Sequence, residues 1–166
     1  MGEYSILRKT YLNKFEIESA FDIVKNNITN LGVAVSEKDR EIWISSLNNN
    51  LSNKDFYFYL LYNDGKIAGF MEMIKSNDKL TLSEIQLNDS LKRTRILPFL
   101  INYILNEQAF SEFDELYFSI KKINDASNAT FSHLGGEIIE DRGKNWLYKI
   151  SREKVVNYIK TKLKFI

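Results

Sequence analysis

Between Phe56 and Ile74 the chain reads FYFYLLYNDGKIAGFMEMI, two apolar runs around Asn63-Asp64-Gly65. Such a polar, glycine-ended step between strand-like runs is a hairpin signal, because these residues accept the positive φ that returning strands require. The first run, FYFYLLY, shows no polar alternation. A strand of that composition has no face to offer water, so it belongs inside a sheet covered on both sides. As a stacking platform for bases it would need interleaved cations, which it lacks.

The covering helices are legible on either side of the hairpin. YSILRK (4–9) is a short first strand. Asn13 caps a helix with Glu16 at the reciprocal position, and Ile17, Phe21, Val24 and Ile28 fall on one face. Ser36 opens a second capping box, S-E-K-D, ahead of Trp43, Leu47 and Leu51. After a turn at Ser76-Asn77-Asp78 comes the strand LTLSEIQL, then residues 96–106, apolar nearly all round and expected to be a buried helix with Pro98 in its first turn. ELYFSI (115–120) is a strand, NDASNATFSHL (124–134) a helix ended by Gly135-Gly136, and GEIIED with NWLYKI a last hairpin around Arg142-Gly143-Lys144. The tail REKVVNYIKTKLKFI is amphipathic, with Val156, Ile159 and Leu163 on one stripe.

This order specifies an α+β fold, an α/β/α sandwich around a mixed, mostly antiparallel seven-stranded sheet. The strand–helix–strand crossover at 80–120 is right-handed and makes those two strands parallel. Ligands of such sheets favour the carboxyl end of parallel strands. One domain is expected over 1–151, with the basic tail helix 152–166 packed on it or on a second copy in a homodimer.

Composition removes whole classes of chemistry. The 166 residues contain no cysteine and one histidine, His133, so disulfides, thiolate nucleophiles and imidazole-rich metal centres are out, and no metal is expected. No G-x-S-x-G elbow presents a serine. The net charge of +1 does not suit bulk nucleic-acid binding, although 152–166 carries five cations against Glu153. No apolar run reaches membrane-spanning length, and the N-terminus lacks a signal-peptide core, so a cytoplasmic protein with no membrane partner is expected.

Just before the buried helix stands SLKRTRILPFL, with Lys92, Arg93 and Arg95 at the position where a helix N-terminus can hold phosphate. In this setting the chain resembles the GNAT acyl-CoA N-acyltransferase superfamily over residues 4–150. The family's V-x-P-x-x-R/Q-x-x-G-x-G/A run is met by L-N-D-S-L-K-R-T-R-I-L, with Lys92 in the Arg/Gln place and Arg95 and Leu97 in the small-residue places. Its N-x-x-A-x-x-x-Y-x-x-x-G-F motif is met in spacing by Asn124, Ser127, Phe131, Gly135 and Gly136.

The resemblance implies acetyl transfer from acetyl-CoA, as co-substrate, to a primary amine on a small molecule or peptide, by direct attack. It implies CoA between the strands at 80–87 and 115–120, with pyrophosphate on Lys92, Arg93, Thr94, Arg95, Ile96 and Leu97. Asn124, Ser127 and Phe131 would line the pantetheine arm. Glu84 takes the place of the family's amine-deprotonating glutamate and needs burial to become an effective base, since a free glutamate has a pKa of about 4.3. The Leu87 N–H would polarise the thioester carbonyl. Phe131 replaces the tyrosine that protonates the leaving thiolate and cannot donate a proton. Asn124 is also a good helix N-cap. The alternative is a GNAT-like domain with reduced catalysis that binds acyl-CoA or works as a regulatory or interaction protein.

Overall fold

The computed structural model describes residues 3–77, 79–92 and 96–163, of which 162 and 163 by backbone alone. The chain order is β1 (Tyr4–Lys9), α1 (Lys14–Asn30), α2 (Glu37–Leu51), β2 (Phe56–Asn63), β3 (Lys66–Ser76) and β4 (Lys79–Leu87). It continues with α3 (Ile96–Asn106), a short 3₁₀ turn (Gln108–Phe110), β5 (Glu115–Lys121), α4 (Asp125–His133), β6 (Glu137–Arg142), β7 (Asn145–Ser151) and α5 (Arg152–Leu163). The strands form the expected seven-stranded mixed sheet, ordered β1-β2-β3-β4-β5-β7-β6, with β4 and β5 parallel. Two compact units divide the chain: Met1–Ile74 with Ser83–Lys92, and Lys75–Leu82 with Arg93–Ile166.

In the first unit β2 pairs antiparallel with both β1 and β3. The hairpin turns at Asp64 (φ 50°) and Gly65 (φ 75°), the conformations its sequence demanded. Every residue from Phe56 to Leu61 is buried. Phe56, Phe58 and Leu60 join Phe70 of β3, Val24 of α1 and Leu47 of α2 in one core, with Ile17, Ile28, Trp43 and Leu51 packed around it. Phe58 stacks on Phe70 with ring centres 5.2 Å apart, and Trp43 tilts against Phe21 and Phe70 at 5.6 and 5.9 Å. Each such pair adds about 0.5–1.5 kcal/mol beyond burial.

Both expected capping boxes are formed. Asn13 Oδ1 accepts the Glu16 N–H at 2.9 Å, and Glu16 Oε2 accepts the Asn13 N–H at 2.9 Å; Ser36 and Asp39 do the same for α2. Glu16 is buried and also meets the Lys9 ammonium at 2.7 Å and the Tyr62 hydroxyl at 3.3 Å. Burial alone would raise its pKa, but Lys9, the Asn13 N–H and Tyr62 outweigh it and hold the carboxyl below its ordinary range.

In the second unit Leu80, Thr81 and Leu82 of β4 pair in parallel with Leu116, Tyr117 and Phe118 of β5. β5 pairs along its whole length with β7, and β7 with the exposed edge strand β6. Helix α3 buries Ile96, Pro98, Leu100, Ile101, Ile104 and Leu105, yet it is not wholly enclosed, because Phe99 stays 38% exposed. In α5 Ile159 is buried as expected, Val155 is buried where Val156, half-buried, was expected, and the side chain of Leu163 lies outside the described residues. Arg152 opens the helix. Its guanidinium donates to the carbonyls of Phe113 (2.7 Å), Leu105 (3.0 Å) and Phe110, fixing where the helix leaves β7.

Candidate functional site

The site assembles in the first unit, on the last turn of α1 and the facing strands β3 and β4. Asn77 and Asp78 alone separate these strands, so they return antiparallel. The Asn88 N–H donates to Ala68 O at 2.9 Å. Counting inward from that bond, Glu72 lies opposite Glu84, and the Ser83 hydroxyl donates to Glu72 O at 3.2 Å. Gly69 lets the strands close. A Cβ there would stand 2.6 Å from Gln86 O and 2.8 Å from Leu87 Cδ2, so any side chain would push the end of β4 away.

Glu72 is buried, at 8% exposure, on the face that carries Phe58 and Phe70. Burial pushes its carboxyl up to about 8, and the neighbouring Glu84 carboxylate adds to the rise. At neutral pH the proton of the pair therefore rests on Glu72. Glu84 is half-buried and accepts a hydrogen bond from Gln86 Nε2 at 2.7 Å. Gln86 Oε1 in turn accepts from Asn27 Nδ2 at 2.6 Å, and Asn27 Oδ1 accepts from the Lys92 ammonium at 2.5 Å. Asn27 Nδ2 also reaches Leu87 O at 3.1 Å. Since Asn88 pairs with β3, the N–H and C=O of Leu87 face the opposite edge of the strand.

The residues expected from sequence take up varied positions. Glu84, Leu87 and Lys92 come together here. Lys92 also pairs with Asp89 at 2.6 Å. Arg93, Thr94 and Arg95 lie outside the described residues. Ile96 is buried and Leu97 half-buried at the start of α3. Asn124 caps α4, its Oδ1 accepting the Ser127 N–H at 3.1 Å. Phe131 is buried against Phe118, with ring centres 4.5 Å apart. His133 is exposed in the last turn of α4. Glu72, Gln86 and Asn27 were missed. A lone glutamate between Met71 and Met73 in an apolar strand was a signal for the first; nothing in the sequence singles out Asn27. Among the described residues no group of three or more His, Cys, Asp or Glu is placed to hold a metal ion.

No family model matches the sequence, and no curated protein does. Solved structures do match. The chain superposes on the PaiA N-acetyltransferase of Thermoplasma acidophilum, solved in complex with coenzyme A, with a TM-score of 0.71 at 18% identity, covering 89% of this chain and 99% of that one. The chain has the GNAT fold. Two further GNAT-fold neighbours bracket the likeness. The Campylobacter jejuni N-acetyltransferase PseH, in complex with acetyl coenzyme A, gives 0.64 at 18% identity over 90% and 99% of the two chains. FdhC, a nucleotide-linked sugar GNAT, gives 0.72 at 16% over 97% and 94%. In GNAT-fold terms Glu84 and Leu87 stand on the fourth strand and Lys92 in the segment leading to the following helix.

Proposed function

We propose that the chain is an N-acetyltransferase that moves an acetyl group from acetyl-CoA to a primary amine by direct attack. The observation that carries this reading is the carboxyl pair on β3 and β4 of a GNAT fold, in which Glu72 holds a proton and Glu84 is left to accept one. As the amine nitrogen bonds to the thioester carbon, Glu84 takes its proton. The outward-facing Leu87 N–H donates to the carbonyl oxygen as negative charge gathers there. The C–S bond then breaks and the thiolate departs. With a thiol pKa of about 8.5 it leaves without a protein acid, which Phe131 could not provide.

The segment Lys92–Leu97 supports a diphosphate contact through the Lys92 ammonium and the first N–H groups of α3. Asn124, through the amide nitrogen that its capping bond leaves over, and Ser127 are proposed contacts of the pantetheine arm.

The test has two stages. Acetyl-CoA at 100 times its Kd should stabilise the fold by about 2.7 kcal/mol, read as a rise in Tm. Free-thiol release is then followed against a panel of amines, with amino sugars included because one neighbour is a nucleotide-linked sugar GNAT. Glu84→Gln should lower turnover roughly 10²- to 10⁴-fold while sparing acetyl-CoA affinity. An unmoved Tm at saturating acetyl-CoA overturns the reading. Binding without thiol release against the whole panel selects the acyl-CoA-binding regulatory protein, a reading supported by Phe131, which carries no proton to donate and is buried against Phe118.

A further inference from the structure

From Lys92 to Glu84 every hydrogen bond points the same way. The ammonium donates to Asn27 Oδ1 at 2.5 Å, the Asn27 amide to Gln86 Oε1 at 2.6 Å, and the Gln86 amide to Glu84 Oε1 at 2.7 Å. An aligned chain with a cation at its donor end and a carboxyl at its acceptor end polarises along its length, and each bond strengthens the next. Both amides are part-buried, where such bonds are less screened than in water. The carboxyl at the acceptor end has a neighbour on the adjacent strand β3, the buried Glu72, which pairs with Phe58 of β2. Burial already favours the proton on Glu72, and the donor that Gln86 offers to Glu84 favours the charge there.

We propose that Gln86 and Asn27 are positioning residues that fix the negative charge of the Glu72–Glu84 pair on Glu84, using Lys92 as the chain's cationic anchor. This rests on the acetyl-transfer reading, and it adds to it a reason why Glu84, rather than Glu72, is the proton acceptor. Among the described residues, the charged groups at its ends include Glu72 and Glu84 at one and Lys92, paired with Asp89, at the other. The β2 residue paired with Glu72, Phe58, is apolar. The chain also has a built-in sensitivity: an anion that draws the Lys92 ammonium off Asn27 weakens the polarisation of everything beyond it.

The experiment uses the whole protein carrying glutamate labelled with ¹³C at the side-chain carboxyl, titrated by NMR from pH 4 to 10. Signals of the pair are assigned by their loss in Glu72→Gln and Glu84→Gln. Gln86→Met keeps the side chain's length and removes its donor. In that variant the Glu84 titration should move up by about one pH unit, the worth of one charge-assisted hydrogen bond. Asn27→Ala and Lys92→Met, cut one and two bonds further out, should move it by progressively less. The acid limb of kcat/KM should follow the same shifts while the KM for acetyl-CoA is unchanged in Gln86→Met. A Glu84 titration that stays where it was in folded Gln86→Met and Asn27→Ala overturns the proposal. Should Gln86→Met fail to fold, Asn27→Ala decides alone. If no amine is acetylated, the carboxyl titration still answers, so the relay and the enzymatic reading fail separately.

Discussion

Glu72 makes the stability of this protein fall with rising pH, and the size of the effect follows from its surroundings. In the unfolded chain its carboxyl titrates at 4.5; in the folded protein burial and the Glu84 carboxylate raise it to about 8. Between those values the native state keeps a proton that the unfolded state has given up. Unfolding therefore becomes easier by about 1.4 kcal/mol for every pH unit climbed. The favourable contribution is complete below 4.5 and is lost as pH rises through about 8. Across the interval the loss is on the order of 5 kcal/mol, a large share of a typical domain's 5–15 kcal/mol. Glu72→Gln keeps the shape and cannot ionise, so its stability should be level over the same range wherever the wild type declines. Urea unfolding of both proteins at half-unit steps from pH 4.5 to 9 measures the difference directly. The two should be similar near pH 4.5 and diverge in favour of the variant by several kcal/mol at pH 9, with equal m-values. Glu84→Gln removes the second cause and should recover part of that gain. Parallel curves, with the variant offset by one constant amount at every pH, would refute the assignment of the proton to Glu72.

Four other perturbations probe the frame. Arg152→Ala deprives three backbone carbonyls of a charged donor and should cost roughly 3–5 kcal/mol in urea unfolding; Arg152→Lys should fail to restore it, because an ammonium cannot span the three. Gly69→Ala sets a methyl against backbone of β4; a loss of about 1–3 kcal/mol together with reduced acetyl-CoA protection in thermal unfolding is expected. Asn13→Ala breaks the α1 capping box and should lower stability by about 1 kcal/mol. Glu16 has the opposite sign to Glu72: its carboxyl is held below 4.5, so its contribution is present above that value and disappears as pH falls, and Glu16→Gln should flatten the acid side of the wild-type curve.

What could be read from the sequence was whatever depends on neighbours close along the chain. Caps at Asn13, Ser36 and Asn124 need only residues three positions apart, and the turns at Asp64-Gly65 and Gly143 need only φ. The absence of alternation in FYFYLLY was enough to place β2 inside the sheet. The place of Glu84 on the fourth strand was legible because element order fixes it. Its surroundings were not, since Asn27, linked through Gln86, and Glu72 come to it only when a helix is laid across two strands in one register. On α5 Ile159 is buried as expected, and Val155 rather than Val156 is its buried neighbour. Periodicity names a face only to within a residue, and contacts such as the bonds of Arg152 to carbonyls some forty residues earlier in the chain are not written in it.

A buried carboxyl that costs stability at working pH invites the question of what it is kept for. Position 72 lies between Met71 and Met73 in a strand otherwise built for the core, and a methionine there would fill the space without an ionisable group. Glu72→Met should therefore raise the unfolding free energy at pH 8 by about 2–5 kcal/mol, the penalty of the charged form relieved. If Glu72 serves only as packing, acetyl transfer will be unaffected or improved by the firmer fold. If it is the proton-holding half of the pair, it ionises as pH passes about 8 and sets a second charge beside Glu84. The kcat/KM profile of the wild type should then bend near that pH, and the bend should be absent from Glu72→Met. A variant that is more stable and has lost that bend identifies a site where stability has been given up for proton chemistry. A variant that gains stability with an unmoved profile removes Glu72 from the chemistry and leaves Glu84 to act alone.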